Sequence, residues 1–133
     1  MRINQPVLWQ RLEGLAIFIS CVLLADNFVS YGRYSWWALL LGLFVPDFSM
    51  LGYLAGPRVG ATVYNLAHNY VFPVLALLVA MLVSSDLLWV TGLVWTAHIA
   101  MDRMFGYGLK LPEGFGHTHL GIIGVKQPRP SDH

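Results

Sequence analysis

Charge is the scarcest commodity in this chain. Only 11% of its 133 residues are charged, where a soluble domain carries roughly a quarter, and the formal net charge is +1. No electrostatic footprint for nucleic acid exists on such a chain. Cysteine is almost absent as well: Cys21 stands alone, so no intrachain disulfide can form and the redox compartment is not readable. Internal repeats and low-complexity tracts are missing. No small-x-small cleavage site follows the first apolar run and Glu13 lies just before it, so that run reads as a retained helix rather than a cleaved signal.

What fills the space is apolar. Hydrophobic residues make up 56% of the chain and mean hydropathy is +0.59. Four runs stand out, at about 12–29, 36–54, 59–83 and 87–107, separated by "SYGRYS", "AGPRVG" and "SSD", which carry the Gly, Pro, Ser and charge of helix ends. Runs of about twenty residues are too long for ordinary strands and long enough to cross a bilayer. The expected fold is therefore all-α: a polytopic membrane protein of one domain, 1–133, with four transmembrane helices in a bundle and a short C-terminal tail, 109–133. Arg2 and Arg11 precede the first run, Arg58 separates the second and third, and Lys110, Lys126 and Arg129 follow the fourth, whereas the other side has only Arg33. Both termini are expected in the cytoplasm, as for a bacterial inner-membrane protein. Trp9, Trp36, Trp37 and Trp89, near the ends of runs, read as anchors in the headgroup layer.

Against this background the few polar groups inside the runs are conspicuous. With a rise of ~1.5 Å per residue, Asp47 falls ~10 Å, His68 ~14 Å, His98 ~14 Å and Asp102 ~8 Å from the cytoplasmic side. Three helices thus deliver acids and imidazoles to one layer, where each charge costs several kcal/mol unless it faces inward and is paired. They should face one another. His98 and Asp102 are one helical turn apart and share a face. Tyr64 and Asn65, four and three residues before His68, are candidates to orient its imidazole, and Glu13 could join the layer as a further carboxylate or pair with Arg11, Arg58 or Arg103. Arg103, about 100° round the helix from Asp102, is expected to point away, toward Glu13 or the headgroups.

The tail adds "EGFGHTHLG". His117 and His119, two apart, lie on one side of an extended segment, so the tail could fold over the site as a lid and supply a fifth ligand or a proton carrier. His133 is read as an idle terminal residue. Two carboxylates with two to four imidazoles suit zinc, manganese or iron(II) better than Mg²⁺ or Ca²⁺. Haem, held by His68 and His98, is the alternative cofactor. The same cluster also reads as a purely structural hydrogen-bonded lock or as a path for protons or solutes.

The segments "FVPDFSMLGYLAGPRVGATVYNLAH" and "AHIAMDRMFGYGLKLPEGFGHTHLG" closely resemble a group of small bacterial membrane proteins known only as a domain of unknown function, a resemblance that covers nearly the whole chain and implies no activity. More distantly, Pro46-Asp47, then His68, then His98-x-x-x-Asp102 and Tyr107-Gly108 resemble the ordered motifs of inner-membrane metal-dependent hydrolases, sometimes described as LexA-binding. That resemblance implies metal ligands on successive membrane helices and a hydrolytic reaction. Where that family has paired histidines this chain has His68 alone, and its own His-x-His pair follows the last helix. Either the tail replaces a ligand or the likeness is to a polar packing motif. The expectation is a divalent ion held by Asp47, His68, His98 and Asp102, in a hydrolase whose small-molecule or lipid substrate enters from the cytosol or the inner leaflet. A non-catalytic metal or haem carrier is the alternative.

Overall fold

Three prolines decide where the long apolar runs break. Proline has no N–H to donate and clashes with the preceding turn, so a helix accepts it only in its first turn. In the computed structural model, which describes residues 5–124, the order is α1 (Gln5–Ser30), α2 (Trp36–Leu43), a 3₁₀ helix η1 (Val45–Ala55), α3 (Pro57–Ala67), α4 (Val71–Val83), α5 (Asp86–Phe105) and the short strands β1 (His117–Thr118) and β2 (Gly121–Ile122). Pro46, Pro57 and Pro73 open η1, α3 and α4. The runs read as single helices over 36–54 and 59–83 are therefore each two elements. Arg2, Lys126, Arg129 and His133 lie outside the described residues.

Three helical stretches, Gln5–Ser30, Trp36–Ala55 and Pro57–Val83, are long and apolar enough to cross a membrane. The fourth helix, α5, is diluted by His98, Asp102 and Arg103. It can carry them because it is enclosed: Val90, Gly92, Leu93, Thr96, Ala97, His98, Ile99, Ala100 and Arg103 are all buried. Cys21 and Ala25 of α1 and Leu39 of α2 pack with Val90, Leu93 and Ala97 of α5. Small residues let the backbones meet, as is usual between membrane helices. At Gly14 a Cβ would lie 2.7 Å from the Ala100 carbonyl oxygen, so α1 and α5 touch there main chain to main chain.

The interruption between α3 and α4, residues 68–70, frees carbonyls inside an apolar layer, where an unpaired one costs several kcal/mol. Each finds a donor. Trp95 Nε1 donates to the Ala67 carbonyl at 2.6 Å and Arg103 Nη2 to the His68 carbonyl at 3.0 Å. Asn69 closes two more, its amide donating to the carbonyls of Asn65 and Leu66 while its oxygen accepts from the Val71 N–H. Arg103 is thus buried at the break, bound also to the Tyr107 carbonyl at 2.8 Å, and not directed toward Glu13 or outward. A planar guanidinium has donors enough for two carbonyls; the 100° offset from Asp102 fixes where the side chain leaves the helix, not where its long stem ends.

Beyond Gly106, which caps α5 in the left-handed conformation (φ 89°), the tail folds back. β1 and β2 form a minimal antiparallel hairpin, and Lys110 bridges to Thr118 beside it.

Candidate metal centre

The breaks place the polar side chains. His68 is the C-cap of α3, Asp47 sits in the first turn of η1, and His98 and Asp102 are successive inward positions of α5. His68 Nε2 and His98 Nε2 are 3.0 Å apart. Asp47 Oδ1 lies 3.6 and 3.4 Å from these two nitrogens, and Asp102 Oδ2 lies 3.6 and 3.7 Å from the same pair. Asp47, His68 and His98 offer ligand atoms all within 4.8 Å of one another and form a group that could hold a metal ion. A tetrahedral ion with bonds of about 2.1 Å keeps its ligand atoms about 3.4 Å apart. The three separations in the group, 3.0, 3.4 and 3.6 Å, bracket that value. A haem iron needs its two imidazole nitrogens about 4 Å apart, one bond length of about 2 Å on each side. The 3.0 Å separation, flanked by two carboxylates, does not fit that alternative.

Proton counting points the same way. His68 Nδ1 is 2.9 Å from the Tyr64 carbonyl, which can only accept, so Nδ1 carries a proton and, when the ring is neutral, Nε2 presents a lone pair. At most one ring proton, on His98 Nε2, remains to be shared among two carboxylates and the His68 nitrogen. The Tyr64 hydroxyl donates to Asp102 Oδ2 at 3.2 Å and satisfies part of that carboxylate. The cluster is rich in lone pairs and poor in protons. With both rings neutral and both carboxylates ionised, either a metal ion or one further proton would offset that imbalance.

A family model described as "Domain of unknown function (DUF4260)" matches residues 7–123. The chain belongs to this family. Neither a curated protein nor a solved structure matches it. For this DUF4260 member the likeness to metal-dependent hydrolases rests on the motifs alone.

Around the cluster the supporting residues divide unevenly. Tyr64 does three things at once: its carbonyl fixes the His68 tautomer, its hydroxyl binds Asp102, and its ring stacks on the His68 imidazole at a centroid distance of 3.7 Å. Asn65 does not reach His68. Its amide instead pairs with the Lys110 backbone in both directions, at 2.8 and 2.7 Å, and so pins the tail to α3. Glu13 is exposed on α1 and forms no ion pair among the described residues. His119 Nδ1 accepts from the Leu109 N–H at 2.9 Å and serves the tail's own fold. His117 Nδ1 is buried without a hydrogen-bond partner among the described residues. Neither histidine joins the Asp47–His68–His98 group, so the expected fifth ligand or proton carrier from the tail is not placed there.

The tail nevertheless packs beside the cluster, over Tyr64, through residues with no motif to announce them. Lys110 Nζ donates to the Phe115 carbonyl at 2.9 Å and lies 4.0 Å from the Phe115 ring centroid and 5.2 Å from that of Tyr64. Burial pushes the Lys110 pKa down, and the Asp102 charge opposes that in part. Phe115 in turn meets Tyr53 of η1 edge to face at 5.3 Å. The α3 end of the site is thereby roofed. The opposite arrangement holds on the η1 side: the Asp47 side chain keeps 36% of its surface exposed, against 0% for His68, 1% for His98 and 14% for Asp102. In a 3₁₀ helix residues three apart eclipse. Phe44, Asp47, Met50 and Tyr53 form one such row and Phe48, Leu51 and Leu54 another, lining an open groove of about 460 Å³ with a single carboxylate in it.

Proposed function

We propose that this protein is a membrane-embedded, metal-dependent hydrolase of the bacterial inner membrane, with both termini cytoplasmic. Asp47, His68 and His98 hold a divalent ion of the zinc, manganese or iron(II) class. The observation that carries this reading is the three-residue ligand group with a fourth, non-identical carboxylate beside it. Catalytic metal sites keep three protein ligands and an open position, whereas structural sites are closed by four. An ion bound there would supply Lewis acidity and lower the pKa of a bound water toward neutrality. Asp102, within 3.7 Å of both imidazole nitrogens and bound by the Tyr64 hydroxyl, would take and return a proton, a role its proximity supports. Its hydrogen bond keeps one carboxylate oxygen oriented toward the ligand atoms.

Element analysis of the purified protein tests the metal. One equivalent is expected in the wild type and none in His68→Ala or His98→Ala that still insert in the membrane. Asp102→Asn separates base from ligand: retention of the ion with loss of metal-dependent hydrolysis of a chromogenic ester and phosphodiester panel supports the assignment. Loss of the ion in Asp102→Asn moves Asp102 into the ligand set. A stoichiometric ion without turnover on the panel leaves a binding or carrier role, and absence of any ion overturns the metal reading.

A further inference from the structure

Asp47 is the member of the ligand group that keeps appreciable exposure, 36% of its side chain against 0% for His68 and 1% for His98. The tail, through Lys110 and Phe115, covers the Tyr64 end, and α5 shuts the inner side with its most buried residues, His98, Ile99 and Ala100. Asp47 lies in the η1 groove, where it is the one charged group among Phe44, Phe48, Met50, Leu51, Tyr53 and Leu54. The second 3₁₀ row faces outward: Phe48, Leu51 and Leu54 expose 69%, 61% and 88% of their surface, on a stretch apolar enough to lie in a bilayer. A second apolar groove of about 480 Å³, between α2 and α5, reaches none of the ligand atoms.

We propose that the site receives a hydrocarbon-chain amphiphile sideways from the bilayer, its chain along Phe48, Leu51 and Leu54 and its polar, metal-binding head at Asp47. A hydrophilic solute would have to leave water and cross an apolar lining to meet Asp47. A molecule that already resides in the hydrocarbon layer meets the same lining without that transfer cost, because chain and lining are equally apolar. Selectivity then comes from the head, which must satisfy one carboxylate-bearing opening in an otherwise apolar strip. The inference rests on the metal reading of Asp47, His68 and His98 and adds the class of ligand and its route.

The test uses the full chain, loaded with Co²⁺ and reconstituted in phosphatidylcholine vesicles, with the visible absorption of the bound cobalt as the readout. Two probes share one head: dodecanohydroxamic acid, which partitions into the bilayer, and acetohydroxamic acid, which stays in water. The expected result is a spectral change with the first and none with the second at higher concentration. Leu51→Trp, which fills the groove from a position that supplies no ligand atom, should keep its cobalt and weaken the dodecanohydroxamate response by about tenfold or more, the scale of overfilling a packed site. Leu54→Trp, farther along the groove, repeats the block should Leu51→Trp not insert. Comparing variants in the same vesicles cancels partitioning. Equal responses to both probes, or blocked variants that respond like the wild type, overturn the lateral route. A wild type that takes up no cobalt overturns the metal reading beneath it, a separate failure visible before any probe is added.

Discussion

Gly60 is the position where a single methyl group should reach the metal site from a distance. A Cβ there would lie 2.3, 2.4 and 2.7 Å from Cγ, Cδ1 and Cδ2 of Tyr53. These atoms are the root of a rigid ring, so the ring must retreat by about 1 Å to reach ordinary van der Waals separation. Tyr53 belongs to η1, about two 3₁₀ turns from Asp47. Its retreat draws the short helix off α3 and lengthens the 3.4 and 3.6 Å approaches of Asp47 to the two imidazoles. Overfilling of this kind costs about 1–3 kcal/mol in stability. Disturbing what positions a ligand costs about 10–100-fold in ion affinity. Chelator competition on the zinc-loaded protein in vesicles measures the second quantity and thermal unfolding the first. Tyr53→Ala alone removes the ring, so adding Gly60→Ala to it should cost little more, and the two changes should be strongly non-additive. A Gly60→Ala protein that is less stable yet binds the ion as the wild type does refutes the connection from Gly60 through Tyr53 to Asp47.

Tyr64→Phe keeps the ring stacked on His68 and the backbone bond to its Nδ1 but removes the donor to Asp102; ion affinity should fall by about 10–100-fold with the helices intact, and an unchanged chelator titration counts against the role of the hydroxyl. Asn65→Ala removes two hydrogen bonds to the Lys110 backbone, about 1 kcal/mol each, so proteolytic nicking within 109–124 should accelerate by about ten- to thirtyfold. Lys110 gives the tail a pH dependence: burial lowers its folded pKa below the ordinary 10.5, so the released tail holds the proton more tightly, and docking should strengthen as pH rises through the folded value toward 10.5 and weaken below it. Nicking rates relative to a Lys110→Met variant over that range should show the trend, and parallel curves for the two proteins would contradict it.

Asp47, His68 and His98 were legible in the sequence because a polar group inside an apolar run must be compensated, and three such groups at one depth have one another to turn to. The convergence does not depend on unbroken helices: Asp47 belongs to a 3₁₀ helix and His68 ends an α-helix, yet their side chains meet His98. Periodicity could not reveal the breaks, since runs that are apolar all round have no face to lose. The signal lay in Pro46 and Pro73, together with Asn69, whose short amide can close a frayed turn. Tyr64 was found as a partner of His68 by its spacing, but its hydroxyl's reach to Asp102 depends on how α3 and α5 cross. Lys110 and Phe115 carry no pattern at all; a lysine under an aromatic lid resembles a loop charge until the tail is folded. The histidines drew attention to the right segment for the wrong atoms.

The interruption at residues 68–70 also sets an order of events during biogenesis. The Ala67 and His68 carbonyls owe their donors to Trp95 and Arg103, which lie on α5 and so are synthesised after α3 and α4. Until α5 arrives, the α3–α4 pair holds two unpaired carbonyls in an apolar medium, each costing several kcal/mol there. Water or a temporary partner must bear that cost while His68 waits without His98. The break can therefore reach its final shape only on completion of the membrane domain, and a chain stopped before Asp86 should be retained by membrane quality control as an unfinished bundle rather than accumulate as a partly built metal site.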